Sequence, residues 1–318
     1  MPADGADPNV GDGPAASGGP LARVAAEVGV AKPDPILVVD GVTRRFGGLT
    51  AVDVDHLEIQ RGAITALIGP NGAGKTTLFN LLTGFDAPDH GRWKFDGTDV
   101  AGVPAYKVAR RGMVRTFQLT KSLAKLSVLE NMKLGATDQR GERFLPALLP
   151  FLWKSEERAI EDRADELLTR FKLHDKRGDF AGSLSGGQRK LLEMARALMA
   201  EPAMVMLDEP MAGVNPALTQ SLLQHVKSLR DNEGRTVVFV EHDMDVVYDI
   251  SDWVVVMAAG RIIAEGPPRA IGANQEVIDA YLGTHHDAPL SVEEEDEVLS
   301  DIESELWAER TPGGAEQP

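Results

Sequence analysis

The octet Gly69-Pro70-Asn71-Gly72-Ala73-Gly74-Lys75-Thr76 constrains this chain more than any other stretch, because of what flanks it. The apolar run Ala63–Ile68 leads into it, and the helical-period segment Thr76–Leu82 leads away. A strand that turns through a glycine-rich loop directly into a helix is the context a phosphate-binding loop requires. Phosphate oxygens need several converging donors. Glycines let the backbone curl so that its N–H groups point inward, and the helix start adds the positive end of its dipole. Lys75 is placed to reach the β- and γ-phosphates and Thr76 to offer its hydroxyl to Mg2+; Thr77 completes the candidate nucleotide-binding set.

The pattern elsewhere is strand–helix alternation. Ile36–Val39, Met204–Leu207, Val237–Val240 and Val254–Met257 read as further apolar strands. Gln188–Met199, Ala217–Leu229 and Met244–Ile250 read as helices. Strands without polar alternation are buried on both faces, so an α/β fold around a mainly parallel sheet is expected. Between Thr120 and Gly182 the strands stop. Glu156–Leu173 has helical spacing and Val128–Leu134 is a shorter candidate, so a helical subdomain over about residues 120–182 is expected as an insertion.

Composition sets the margins. Residues 1–35 are rich in Gly, Pro, Ala and Asp, read as a disordered leader, and show no signal-peptide pattern. Of the net charge of −16, residues 287–318 carry −10 and residues 1–35 carry −3, so the middle is nearly neutral and offers no footprint for nucleic acid. There is no cysteine, which excludes disulfides and thiolate metal sites. The longest apolar stretches, Phe144–Trp153 and Trp253–Ala259, fall far short of the roughly 20 residues that span a bilayer.

Asp208 and Glu209 close an apolar strand, where side chains emerge at the ligand edge of a parallel sheet. Asp208 suits a Mg2+ water shell, and Glu209 suits polarising a water for in-line attack on a γ-phosphate. His242 ends another strand; alone it would be read as structural. The pair His285-His286 has no further ligand at metal spacing and is assigned no site.

With these residues in place, and with Leu184-Ser185-Gly186-Gly187-Gln188 between them, the chain resembles the ATP-binding cassette (ABC) ATPases over residues 36–283. The resemblance implies a P-loop NTPase core with an N-terminal antiparallel β subdomain and an inserted helical subdomain. It implies that Ser185, Gly186, Gly187 and Gln188 serve ATP held by an opposing subunit, as a helix start with exposed N–H groups would. It implies adenine stacking for Phe46, a magnesium and water contact for Gln118, a γ-phosphate contact for His242 and a dimer-contact loop at Gly213-Val214-Asn215-Pro216. That loop reads Val-Asn where many relatives carry Leu-Asp.

Arg45-Phe46-Gly47-Gly48-Leu49, Arg115-Thr116-Phe117-Gln118, Val128-Leu129-Glu130-Asn131, Glu241-His242-Asp243-Met244 and Val277–Gly283 are most similar to ATPases of branched-chain amino acid importers. Urea-importer ATPases share much of this. The resemblance implies ATP and Mg2+, a second and related ATPase subunit, two membrane permeases, an external solute-binding protein, and a cytoplasmic position against the membrane. A soluble ABC ATPase working on nucleic acid or ribosomes is the competing class; it would bring long coiled coils or two cassettes, and this chain has neither. The acidic C-terminal tail over 284–318 departs from the family. Ser291-Val292-Glu293-Glu294 reads there as a capping box, with Val298, Leu299, Ile302, Leu306 and Trp307 on one helical face.

Overall fold

The computed structural model describes residues 19–116, 123–137 and 154–283. Among the described residues ten strands form two sheets. The antiparallel one runs β2-β1-β4-β5, from β1 (Pro35–Phe46), β2 (Leu49–Gln60), β4 (His90–Phe95) and β5 (Thr98–Asp99). The other runs β10-β9-β3-β8-β7-β6, from β3 (Ile64–Ile68), β6 (Met113–Arg115), β7 (Met204–Asp208), β8 (Thr236–Val240), β9 (Trp253–Ala258) and β10 (Arg261–Gly266). In this second sheet all neighbours are parallel except β10 against β9.

Why these strands are uninterruptedly apolar follows from what covers them. Ile64, Ala66, Ile68, Val205, Leu207, Val237 and Phe239 point into one core with Leu168, Leu192, Leu222 and Val247 of the helices. Their sequence neighbours Leu67, Met204, Met206, Val238 and Val240 point the other way, into a core shared with Leu78, Phe79, Val39 and Val54. Side chains alternate across a strand, so a sheet sandwiched between helices and a second sheet needs apolar residues at every position. β1 and β2 are read differently. Their polar residues alternate with buried Val39, Val42, Val52 and Val54, which marks a sheet with one face toward the core.

Helices follow the parallel strands: Lys75–Leu82 after β3, Pro216–Asp231 after β7 and Met244–Ile250 after β8. Val128–Lys133, Lys154–Arg170 and Gly186–Leu198 pack on one another, in line with their helical spacing, and share the first core with the parallel strands. The first of these starts on a capping box between Ser127 and Glu130.

The expected leader needs correction. Residues 19–34 belong to the fold: Leu21 is buried in the second core, and Lys32 Nζ meets Glu265 Oε2 at 2.8 Å with both side chains out of solvent. The Gly29 N–H donates to Glu265 Oε1 at 2.6 Å and the Lys32 N–H to Glu58 Oε2 at 2.6 Å. Composition misses this because folding brings the partners in: Glu265 lies more than two hundred residues away on β10, and Glu58 lies 26 residues away on β2. Residues 1–18, Gln118 and the expected acidic helix of the tail lie outside the described residues.

Candidate active site

β3 carries the phosphate loop to the centre of the parallel sheet, between β8 and β9. The loop closes on Gly74, whose φ is +99° and whose Cβ, were there one, would stand 2.2 Å from the Ala51 carbonyl oxygen. Only glycine fits there. The wall behind the loop is built from two distant pieces: Gly260, in the β9–β10 turn, donates to the Ala73 carbonyl at 3.0 Å, and its own carbonyl receives the Asp53 N–H at 2.8 Å. No side chain caps the helix Lys75–Leu82, and its first turn holds no acid. An uncapped helix start presents backbone donors and the positive dipole end to an anion, which fits phosphate. Asn71, Gly72 and Thr76 lie at its mouth, all three exposed.

Lys75 Nζ donates to the carbonyls of Gly69 and Pro70. Burial pushes its ammonium below the ordinary lysine value, and the carboxylates of Glu209 and Asp208 pull it back up. The same interaction places both strand-end acids beside the loop. Asp208 ends β7, and its Oδ2 accepts from the Arg115 guanidinium at 2.6 Å. Glu209 follows with φ +45°, a conformation few non-glycine residues adopt, fixed by its N–H bond to the Val240 carbonyl at 3.1 Å. Its side chain faces solvent.

Among the described residues no cluster of three His, Cys, Asp or Glu side chains could hold a metal. The donors present are the Thr76 hydroxyl and the Asp208 carboxylate. That set fits Mg2+, which keeps several waters and takes one or two protein oxygens plus phosphate.

His242 stands after β8 with its side chain 70% exposed, and Nδ1 lies 3.9 Å from Glu241 Oε2. Glu241 itself is buried and accepts the Met211 N–H at 3.0 Å, which ties the segment after Glu209 to the end of β8. Burial raises its carboxyl above the usual range, against the opposing bonds from the Met211 and His242 N–H groups. Phe46 ends β1 half exposed, and the Arg44 guanidinium lies 4.7 Å from its ring centroid.

The Leu184–Gln188 segment forms a capping box. The Ser185 hydroxyl accepts the Gln188 N–H at 3.3 Å while Gln188 Oε1 accepts the Ser185 N–H at 3.0 Å. Gly186 is exposed, as expected for an N–H offered outward. Gly187 is not: it is buried, and a Cβ there would stand 1.9 Å from Leu218 Cδ2. Asn215 caps the helix that carries Leu218, accepting the Leu218 N–H at 3.0 Å as an aspartate would. Among the described residues no hydrogen bond or ion pair joins 185–188 to the phosphate loop. The link between the two regions is indirect: Lys190 Nζ donates to the Glu209 carbonyl at 3.2 Å.

The roles of Glu241, Lys190, Arg115 and Asn80, whose Oδ1 accepts from the Arg115 guanidinium at 2.6 Å, are not visible in the sequence. Each acts through a partner from another element, and a lone charged residue carries no signal of its partner.

The family model for ABC transporters matches residues 52–212, and the model for the branched-chain amino acid ATP-binding cassette transporter matches 261–287. The chain is 42% identical over 251 residues to the high-affinity branched-chain amino acid transport ATP-binding protein BraF of Pseudomonas aeruginosa, covering 78% of this chain and 98% of that one. A solved ATP-binding cassette of an ABC transporter in its ADP conformation matches with 37% identity and a TM-score of 0.69, over 78% of this chain and 99% of the other. A further cassette, solved as a dimer in a post-hydrolysis state with ADP and Pi, matches with 25% identity and a TM-score of 0.60, over 73% of this chain and 99% of its own.

Proposed function

Because the chain belongs to the ABC transporter ATPases and, within them, to the branched-chain amino acid branch, we propose that it hydrolyses ATP to drive import of branched-chain amino acids. The observation that carries the mechanism is the separation of two half-sites in one chain. The phosphate loop, Asp208 and Glu209 converge on one side; Ser185 caps a helix whose hydrogen bond to them, among the described residues, runs through Lys190.

A second ATPase subunit therefore completes each pocket. The loop N–H groups and Lys75 hold the phosphates, Phe46 offers its exposed ring face to the base, and the capping serine of the partner closes over the γ-phosphate. The Ser185 hydroxyl accepts from Gln188, so its own proton remains available to that phosphate. Thr76 and Asp208 would hold Mg2+, with Gln118 as a further candidate contact, and the ion would supply charge neutralisation at the phosphates. Glu209 accepts a proton from the attacking water, with His242 steadying the γ-phosphate. The strained backbone at Glu209 points that carboxylate out of the sheet edge toward solvent.

Among the described residues no helix is long and apolar enough to cross a membrane. The closure of the dimer is thus delivered to two permease subunits, which place this subunit at the cytoplasmic face of the membrane; an external binding protein selects the solute. The cassette runs over 36–283 with its helical subdomain at about 120–182.

Glu209→Gln is expected to bind ATP with near wild-type affinity, to lose hydrolysis by at least about a hundredfold, and to accumulate as an ATP-dependent dimer or heterodimer. Size-exclusion chromatography with and without ATP reads the dimer; wild-type turnover in the variant overturns the role. Purification from detergent-solubilised membranes, followed by leucine uptake in reconstituted vesicles, tests the transport assignment.

A further inference from the structure

We propose that Arg115 is a positioning residue for the magnesium centre, setting the separation of its two protein donors. A single guanidinium reaches Asn80 Oδ1 at 2.6 Å and Asp208 Oδ2 at 2.6 Å, with its side chain only 5% exposed and lying 5.5 Å from the Phe79 ring centroid. Asn80 stands four residues after Thr76 in the helix Lys75–Leu82, so the two share a helix face. Arg115 thereby bolts the helix that carries Thr76 to the strand end that carries Asp208. The bond uses Oδ2, which leaves Oδ1 to the metal's water shell. Mg2+ demands nearly ideal octahedral geometry, so a centre whose donors drift apart loses affinity for it. Arginine suits this bridge because its planar fork spans two acceptors in fixed directions and never deprotonates.

Charge alone acts in the opposite direction. A cation beside a metal ligand repels the metal, so removing Arg115 would strengthen Mg2+ binding if charge were its only effect. The sign of the change separates the two.

The inference rests on reading Thr76 and Asp208 as the magnesium donors. The test uses the full chain and a fluorescent ATP analogue, titrated in EDTA and in Mg2+. In Arg115→Met, affinity in EDTA is expected to stay near wild type, while the gain conferred by Mg2+ falls about tenfold, as for other residues that orient metal ligands. Arg115→Lys, which keeps the charge and reaches one partner, recovers part of that gain. On an Asp208→Asn background, Arg115→Met has no further effect. An unchanged or larger Mg2+ gain in Arg115→Met overturns the proposal, as does an equal loss of affinity in EDTA. If Arg115→Met does not fold, Asn80→Leu keeps the proposal open to refutation, with a smaller loss of the Mg2+ gain expected and no loss counting against it. If Asp208→Asn keeps the full Mg2+ gain, the magnesium reading itself fails.

Discussion

Glu241 shows how one buried side chain serves a site it does not enter. Its carboxylate holds the Met211 N–H and so fixes the chain just beyond Glu209, at the cost of removing a charge from water. Its folded value is raised above the ordinary glutamate value. The stability it contributes is therefore complete below that ordinary value and is lost as pH rises through the folded one. Glu241→Gln keeps an acceptor for Met211 and has no proton to lose. The melting temperature of the variant relative to wild type should rise as pH climbs above the ordinary glutamate value, by on the order of a few degrees. A difference that stays constant across the pH series would count against this account.

At the scale of elements, the signature helix Gly186–Leu198 and the helix Pro216–Asp231 approach so closely because position 187 has no side chain. The contact brings together the loop Gly213–Asn215, the start of the signature helix and, through Lys190, the backbone of Glu209. Gly187→Ala forces Leu218 aside and should cost about 1–3 kcal/mol, the usual range for overpacking. Adding Leu218→Ala restores room and should recover part of the loss in chemical denaturation, if the clash is the cause. A single variant as stable as wild type would show that the helices shift without penalty.

Across the whole molecule, the segment 19–34 joins parts that are remote in sequence. Lys32 lies 4.7 Å from the Trp253 ring centroid and pairs with Glu265, which also accepts from the Trp253 Nε1–H at 2.9 Å and from Gly29. The antiparallel sheet is held through Glu58, and the C-terminal strands through Glu265. Lys32→Met leaves the Glu265 carboxylate buried without its cation and should cost about 3 kcal/mol. Combining it with Glu265→Gln removes the stranded charge and should return part of the stability, as read by melting temperature. No effect of the single change would mean that burial places no demand on the pair.

The α/β alternation, the phosphate loop and its helix, and the strand-end acids are all legible in the bare chain. Each of these is local: a period or a turn residue within a few positions of what it serves. Other features exist only once the chain has folded. The bridge from Arg115 to both Asn80 and Asp208, the burial of Gly187 under Leu218, and the ordering of residues 19–34 by Glu265 all depend on a partner brought near by folding. Burial and pairing are properties of two residues at a distance in the chain, so neither residue alone can announce them.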